Sequence, residues 1–235
     1  MTDTPTTPWP TLPDGRMLVL RTCDAQMRSE HSPSFVWPPS GPVEAPDWDP
    51  DPDRDCGGGL HGLLWGCGNA SMLSSSSTVR WLVVAVDPAD IANPDAPGKV
   101  RFRSGEVVLV TTDRAEAVAH LEANGAALLP TVYGTPTSGH GGTSISGDRG
   151  TSTSGDCGTS ISGDRGTSTS GHHGTSISGH GGTSTSGHGG IVVVGWWDGK
   201  AARLRLTVGY VGEDGIEANT TYRCSASGVL EAVRP

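Results

Sequence analysis

The sequence predicts a mainly β protein, in which a short β-solenoid lies between an N-terminal α+β domain and a C-terminal β-hairpin cap. Three observations support this fold class. Seven octads follow one another without a break over residues 134–189. The segment before them alternates strand-like apolar runs with one helix pattern, and the segment after them contains two hairpin patterns.

The N-terminal flank predicts four strands. Each is a short apolar run bounded by Pro, Gly or Asp, which is typical of strands in a packed sheet. Between the first two lies a Pro- and Asp-rich segment, residues 33–55, which is too long for a simple connection and predicts a functional or mobile loop. The four strands are expected at residues 17–22, 81–86, 100–103 and 107–111.

A helix is expected after the fourth strand, over the run RAEAVAHLEA. Asp113 precedes this run as the N-cap, Glu116 is placed as the capping-box partner, and Gly125 follows as a stop signal. The apolar residues that would face the sheet are Ala117, Leu121 and Ala126.

The octads share the pattern Gly-Thr-Ser-Thr/Ile-Ser-Gly-Asp/His-x. After the first octad the fourth position alternates strictly between Ile and Thr, so the structural unit has 16 residues. Alternate β-branched residues predict a short strand, and the Gly-Asp/His-x-Gly piece predicts a turn whose glycines supply positive φ and whose Asp bonds its own backbone. Two strands and two turns would form one coil. The stacked ladders would be Ile145, Ile161 and Ile177 on one side and Thr153, Thr169 and Thr185 on the other.

Two interpretations of this tract remain open at the level of sequence. Gly/Ser/Thr-rich segments are typical of flexible linkers, but a linker has no reason to keep a 16-residue alternation. We therefore favour the solenoid.

The sequence also leaves open which side chains face the interior of the solenoid. Either the Thr/Ile positions or the Ser pair could lie inside. We favour Ser inside, which leaves Thr-x-Thr and Thr-x-Ile rows in solvent.

The C-terminal flank predicts two hairpins. Residues 191–197 and 204–211 flank the turn Asp198-Gly199-Lys200, and residues 220–224 and 229–233 flank Ser227-Gly228. Because a repeat array must close its exposed end, we expect these hairpins to cap the solenoid. The predicted division is a disordered tail 1–16, an α+β domain 17–133, the solenoid 134–189 and the cap 190–235.

Composition limits the classes of partner and compartment. A net charge of −9 argues against nucleic acid and acidic membranes, since both attract basic patches. The first residues lack the basic start and apolar run of a secretory signal, and no stretch is long and apolar enough for a membrane span. The five cysteines are odd in number and irregularly spaced, which fits reduced thiols. We therefore expect a cytoplasmic protein with a protein partner.

Two groups of residues have the composition of a metal site. Alternating carboxylates over 47–55 are similar to a calcium loop, but Pro52 and Gly58 stand where an EF-hand requires Gly and Glu, so a solvated acidic loop is favoured. Three cysteines and a histidine could assemble a Cys3His zinc site, but no CxxC pair is present, so no metal is expected. These residues are Asp47, Asp49, Asp51, Asp53 and Asp55, and Cys23, Cys56, His61 and Cys67.

The octads also provide a candidate binding surface. Five of the eight histidines occur in the octad turns, where stacking would bring some of them into neighbouring coils and close enough to bind a metal or to repel one another when protonated. The residues proposed for this surface are the first threonine of each octad and two turn histidines: Thr135, Thr143, Thr151, Thr159, Thr167, Thr175, Thr183, His172 and His180.

The octad SGHGGTST resembles those of bacterial ice nucleation proteins over residues 134–189, and this resemblance implies 16-residue coils and an ice-binding solenoid. The whole chain resembles a family of uncharacterised phage and bacterial proteins in which Gly-Thr-Ala-Thr-Ala-Gly-Asp-Arg octads lie between two flanks. The motifs that carry the second resemblance are LRTCDAQMRS, CGGGLHGLLWG and GGIVVVGWWDGK. This chain has Ser where that family has Ala, and the family implies no activity.

A third resemblance concerns the N-terminal flank. A strand that ends in Arg21, followed later by the glycine-flanked His61, is loosely similar to ADP-ribosyltransferase-like folds and implies a nicotinamide dinucleotide site with Arg21 and His61 as catalytic candidates. The matching Glu is not identifiable, although Glu106 and Glu116 are candidates. The glycines at 57–59 lack the GK[ST] or GxGxxG of a phosphate loop.

Together these observations favour a non-enzymatic binding or structural accessory without a cofactor. Its regular hydroxyl surface would provide an extended rigid face for a protein partner, as in other repeat proteins. The two alternatives are the dinucleotide-binding N-terminal domain and the ice-binding solenoid. Open strand edges also predict self-association of solenoids.

Overall fold

The computed structural model of the chain describes residues 9–29, 34–54, 56–74, 76–94 and 98–234. The chain divides into two compact units, Met1–Ala127 and Leu128–Pro235. Strands dominate both units, which confirms the predicted fold class of a β-solenoid accompanied by an α+β unit and terminal hairpins. Residues 1–8 of the predicted tail lie outside the described residues, and the predicted four-part division stays a prediction.

The first unit contains a six-stranded antiparallel sheet. All four strands predicted in this flank are present, each with one end as predicted and the other displaced by one to three residues, and two further strands join them. β1 and β4 lie at the centre of the sheet and are buried along almost their whole length. The strands are β1 (Met17–Cys23), β2 (Gly41–Glu44), β3 (Leu60–Leu64), β4 (Arg80–Val86), β5 (Val100–Phe102) and β6 (Ser104–Thr111), in the order β2-β6-β4-β1-β3-β5.

The two additional strands fall in segments without a clear strand pattern. β2 lies inside the segment predicted as a loop, and it is an edge strand, where Pro42 is tolerated because its missing N–H group need not join a ladder. β3 contains Gly62, and a Cβ atom at this position would lie 2.4 Å from Val19 Cγ1. The glycine therefore allows β3 to approach β1 closely.

The helix α1 (Arg114–Ala123) begins as predicted, since the Asp113 carboxylate accepts a hydrogen bond of 2.8 Å from the Ala115 N–H. The expected capping box is wrong. Thr111 Oγ1 accepts the bond from the Asp113 N–H and donates one to the Glu116 carboxylate. The predicted inward residues, Ala117, Leu121 and Ala126, are buried. No described helix has the length and apolarity needed to cross a bilayer.

The second unit contains the solenoid. Strands from alternate octads pair in parallel and in register, so that each residue aligns with the residue 16 positions later. This arrangement confirms the 16-residue coil. The octad strands are β7 (Thr137–Ser138), β8 (Thr143–Ile145), β9 (Thr151–Ser154), β10 (Thr159–Ser162), β11 (Thr167–Ser170), β12 (Thr175–His180) and β13 (Thr183–Ser186).

Serine side chains fill the interior of the solenoid, which confirms the favoured orientation. Ser152, Ser160 and Ser168 have no exposed surface. Their hydroxyls bond to one another across the tube, as in the 3.0 Å contact between Ser160 Oγ and Ser154 Oγ, and they also donate to backbone carbonyls of the facing strand. A buried hydroxyl without a partner would be costly, so these paired rows are what makes a polar interior possible.

The octad turns differ from the expected geometry in two ways. The eighth residue adopts positive φ whether or not it is glycine, as at Arg149 with φ 57° and His173 with φ 54°. The Asp at the seventh position also bonds beyond its own turn. Asp148 Oδ1 accepts from the backbone N–H of Asp164 at 3.0 Å, one coil later. The side chain therefore ties successive coils together.

The C-terminal strands continue and close the two solenoid sheets. β14 pairs in parallel with β12, and its Val192 and Val194 take the inner places held by serines in earlier coils. β16 pairs antiparallel with β13, and each added strand carries a hairpin partner, which confirms both predicted hairpins. These strands are β14 (Ile191–Asp198), β15 (Arg203–Tyr210), β16 (Thr221–Cys224) and β17 (Leu230–Ala232).

Candidate functional sites

One outer face of the solenoid is an array of threonines. It is formed by β9, β11 and β13, whose first and third residues point outward while their serines point inward. We call it the Thr-x-Thr face. Its members are Thr151, Thr153, Thr167, Thr169, Thr183 and Thr185.

The spacing of this array follows from strand geometry. Neighbouring strands place threonines about 4.8 Å apart along a row, and two residues of one strand separate the rows by about 6.6 Å. Thr183 Oγ1 donates to Thr167 Oγ1 at 3.3 Å. In the cap, Thr221 pairs with Thr185 at an Oγ1–Oγ1 distance of 2.9 Å. The row that contains Thr185 therefore continues for one strand beyond the octads.

The opposite outer face combines threonine with isoleucine. Thr159 and Thr175 align there, beside the ladder of Ile161 and Ile177. The predicted surface therefore divides between two faces, because the first threonines of successive octads alternate between the two sheets. Thr135, Thr151, Thr167 and Thr183 belong to the side of the Thr-x-Thr face, and Thr143, Thr159 and Thr175 belong to the other.

The turn histidines divide in the same way. His172 and His188 stack on one edge of the solenoid, with a ring-centroid distance of 6.5 Å. His180 lies in the other row of turns, where its backbone N–H donates to Asp164 Oδ1 at 2.8 Å. Across the described parts of the chain, no three His, Cys, Asp or Glu side chains group closely enough to hold a metal ion.

The acidic segment of the first unit is organised by Arg101. This side chain is completely buried, and its Nη1 donates to the carbonyls of Asp49 at 2.9 Å and Gly58 at 3.0 Å, while Nη2 donates to the carbonyl of Asp51. The carboxylates of the segment bond to nearby N–H groups and to Arg54. Asp55 lies outside the described residues.

The first unit also contains a cavity of about 740 Å³. It lies between the end of β1, the start of β3 and the segments that contain Phe35, Trp37 and Lys99. We call it the Arg21 cavity, because it brings Arg21 and His61 together, as the dinucleotide hypothesis requires. That hypothesis itself stays a prediction.

Arg21 lies in the wall of this cavity with 9% of its surface exposed. Its guanidinium carbon is 4.0 Å from the centroid of the Trp37 ring, a cation–π contact. Nη1 donates to the His61 carbonyl at 3.1 Å, and Nη2 donates to the Thr22 carbonyl at 3.3 Å and to Ser29 Oγ at 3.4 Å. Burial lowers the pKa of Arg21 to about 10.

His61 is electrostatically coupled to this cation. Burial, and then the charges of Lys99, Arg21 and Arg101, lower the pKa of His61 to about 4. The imidazole is therefore neutral at pH 7, and its Nε2 atom has no hydrogen-bond partner among the described residues. A neutral imidazole donates from one ring nitrogen and accepts at the other.

We expect the stability of the first unit to fall with acidification because of His61. The unfolded side chain has a pKa near 6.5, whereas the folded one has a pKa of about 4, so the unfolded state binds the proton first. The free energy of unfolding therefore decreases as the pH is lowered from about 6.5 towards 4. Melting temperatures at pH 7 and pH 5 should differ less in His61→Gln than in the wild type, and equal differences would contradict this assignment.

The cysteines proposed for zinc have separate surroundings. Cys23 Sγ lies 3.8 Å from Met27 Sδ, and Cys67 Sγ lies 3.7 Å from the Trp65 carbonyl. Cys56 accepts from Lys99 Nζ at 3.3 Å at the Arg21 cavity. Burial raises the pKa of the Cys23 thiol to about 11, which disfavours the thiolate that a metal requires.

Two residues of the Arg21 cavity, Trp37 and Lys99, were not among the candidate site residues. Trp37 lies in the segment predicted as a loop, and Lys99 follows residues 95–97, which lie outside the described residues. An aromatic residue in a Pro-rich loop was the available signal for Trp37. No local sequence pattern marks Lys99, because its position at the cavity depends on the pairing of β5, which follows it, with β3.

The chain is similar to ice nucleation proteins over part of its length. It is 43% identical over 95 residues to an ice nucleation protein of Pseudomonas syringae, which covers 40% of this chain and 8% of that protein. It is 33% identical over 129 residues to one from Xanthomonas campestris pv. translucens, covering 53% of this chain and 8% of the relative. The ice nucleation protein InaU of Pantoea ananas is 36% identical over 99 residues, with 42% and 9% covered.

The chain therefore spans less than a tenth of the length of the curated relatives it matches. No protein-family model matches it, and no solved structure matches it significantly. The resemblance of the repeats to ice nucleation proteins is thus confirmed.

Proposed function

We propose that this chain is a non-enzymatic binding protein whose working surface is the Thr-x-Thr face, and that the surface it binds is ice. The observation that carries this proposal is the register of the array. Thr151, Thr167 and Thr183 align in one row, and Thr153, Thr169 and Thr185 align in a second row, on strands that pair in parallel without a bulge. The similar proteins are named ice nucleation proteins, which supports the same choice of ligand.

The chemistry of threonine suits a surface that orders water. Each side chain presents one hydroxyl, which can donate and accept, beside one methyl group that limits how a water molecule can turn. Rows at a fixed spacing would hold many such waters in one plane, and each ordered water costs little entropy when its partners are already fixed. The array is fixed before binding, because its β-branched side chains have few rotamers and its backbone is held by two sheets.

The opposite face provides an internal comparison. Its first row also contains threonines, but its second row contains Ile161 and Ile177, which offer no hydroxyl. Only the Thr-x-Thr face therefore has hydroxyls in both rows. We assign ice binding to that face alone.

The size of the array sets the expected activity. Three octad strands and Thr221 make a short surface, which should bind and shape an existing crystal rather than nucleate a new one. Self-association would enlarge it. The terminal strands of the two sheets, β15 and β17 at one end, are edges at which such association could occur, and it stays a prediction.

The test is the shape and growth rate of ice crystals in purified protein, with two matched variants. Thr167→Lys introduces a long charged side chain at the centre of the Thr-x-Thr face, and we expect it to abolish crystal shaping. Thr159→Lys makes the same change at the first position of a strand on the opposite face, and it should leave shaping intact. Circular dichroism should show the same strand content in all three proteins.

Three results would overturn the proposal. These are unshaped crystals in the wild type, full activity in Thr167→Lys, and equal loss in both variants. Sedimentation of the same samples measures self-association, so a loss caused by dissociation of an oligomer can be separated from a loss of the surface. A protein ligand of the same face is the remaining interpretation if folded wild-type protein has no effect on ice.

A further inference from the structure

The Arg21 cavity contains a buried cation, the Arg21 guanidinium. Among the residues that the structure describes, the ion pairs do not include this side chain. A guanidinium with only 9% of its surface exposed loses most of its hydration, and neutral carbonyl oxygens replace it only in part. An anion in the cavity would supply the missing partner.

The hydrogen bonds around Arg21 point to the same conclusion. Its bonds to protein oxygens measure 3.1 to 3.4 Å, at or beyond the long end of the usual range. Among the described residues its Nε has no partner, and the side chain lines the cavity. Because the bonds are long and one nitrogen is unpartnered, the described protein acceptors satisfy the guanidinium only in part.

The other charges of the cavity agree with a negatively charged ligand. Lys99 provides a second cation in the lining. Asp47 is the carboxylate among the described lining residues, and its Oδ1 accepts the Gly59 N–H at 3.1 Å. The described lining therefore has two cations against one carboxylate, and that carboxylate is already engaged with the backbone.

The volume and the remaining walls indicate that the ligand has an organic body. A cavity of about 740 Å³ is far larger than an inorganic anion and lies within the usual range for small-molecule sites. Apolar side chains also contribute to the lining. They are Phe35, Leu60, Leu63, Met72 and Leu73.

We propose that the Arg21 cavity binds a small organic molecule through an oxyanion, a phosphate or a carboxylate, that pairs with the Arg21 guanidinium. One Nη of the fork faces the oxyanion, and Lys99 provides a second positive charge in the same lining. Trp37 holds the guanidinium plane from the other side, so the fork is oriented before the ligand arrives. This site is independent of the ice-binding surface, which belongs to the other unit.

The test is calorimetric titration of the full chain with four probes. Adenosine monophosphate and adenosine share one organic body and differ in the phosphate, benzoate offers a carboxylate on an apolar ring, and nicotinamide adenine dinucleotide offers a diphosphate. We expect at least one anionic probe to bind with a Kd at or below about 1 mM, and adenosine to bind at least about tenfold more weakly than its monophosphate if phosphate is the group recognised. Binding of benzoate alone would assign the site to carboxylates.

Variants then connect the binding to Arg21. Arg21→Met removes the charge at similar length and should weaken the binding by at least about tenfold, whereas Arg103→Met removes an exposed arginine outside the cavity and should leave it unchanged. Near-ultraviolet circular dichroism verifies the fold. If Arg21→Met fails to fold, Arg21→Lys is measured instead, because it keeps the charge but loses the fork and should still bind more weakly.

The proposal is overturned if no anionic probe binds, if adenosine binds as tightly as its monophosphate while benzoate does not bind, or if the folded Arg21 variant keeps the wild-type affinity. Each of these outcomes leaves the ice-binding proposal unaffected, since crystal shaping is measured separately on the same protein.

Discussion

Replacement of Arg101 by Met should lower the free energy of unfolding of the first unit by about 2–4 kcal/mol. The side chain is fully buried and donates to the carbonyls of Asp49, Asp51 and Gly58. Methionine fills a similar length but removes the guanidinium donor from three carbonyl oxygens, and those of Gly58 and Asp51 keep only a long backbone bond of 3.4 Å. We expect the lost stability to come from the acidic segment, because no other buried cation among the described residues bonds to its backbone.

The measurement is chemical denaturation followed by tryptophan fluorescence, because five of the seven tryptophans precede residue 128. Arg103→Met is the matched control. Arg103 is two residues away along the chain, is exposed, and makes a surface ion pair of 3.5 Å with Glu44, which is worth about 0–1 kcal/mol. Similar midpoints for the two variants would contradict the role assigned to Arg101.

Replacement of Gly163 by Ala should destabilise the solenoid by about 1–3 kcal/mol. A Cβ atom at this position would lie 2.6 Å from the backbone nitrogen of Asp148 and 2.8 Å from the carbonyl carbon of Gly147, in the preceding coil. Backbone atoms cannot move aside as a flexible side chain would, so the two coils must separate. The Asp148 bond to the Asp164 N–H would be strained by the same displacement.

Gly139→Ala is the control for this change, because Gly139 is also the sixth residue of an octad. Apart from Gly139 itself and its two chain neighbours, no described heavy atom lies within 4 Å of the place where its Cβ would be. Thermal unfolding followed by far-ultraviolet circular dichroism should therefore show a clear decrease for Gly163→Ala and almost none for Gly139→Ala. Equal melting temperatures for both variants would show that the coils do not pack as closely as the structure indicates.

The solenoid could be predicted well because its information is local and repeated. The alternation of Ile145 and Thr153 gave the length of the coil, and the pairing of small hydroxyl residues allowed a serine interior. The connection made by Asp148 was missed because it joins residues 16 apart, whereas turn chemistry is usually read within four residues.

The Arg21 cavity could be predicted only in part. Arg21 and His61 each stood out as polar residues in an apolar context, but the relation between them depends on the pairing of β1 with β3. Gly62 permits that pairing, and its reason is visible only once the contact with Val19 is known. Trp37 and Lys99 arrive from segments without regular structure, and single-sequence patterns carry little information about such long-range contacts.

The serine interior has a consequence for how such a protein changes over generations. Each coil completes its hydrogen bonds with its own facing strand and the coils beside it, as in the contacts of Ser160 with Ser154 and with the Thr169 carbonyl. No coil depends on a side chain peculiar to a distant one. A duplication or loss of 48 nucleotides in register would therefore insert or remove a whole coil without repacking either end. The number of threonine-bearing coils can thus differ between related proteins.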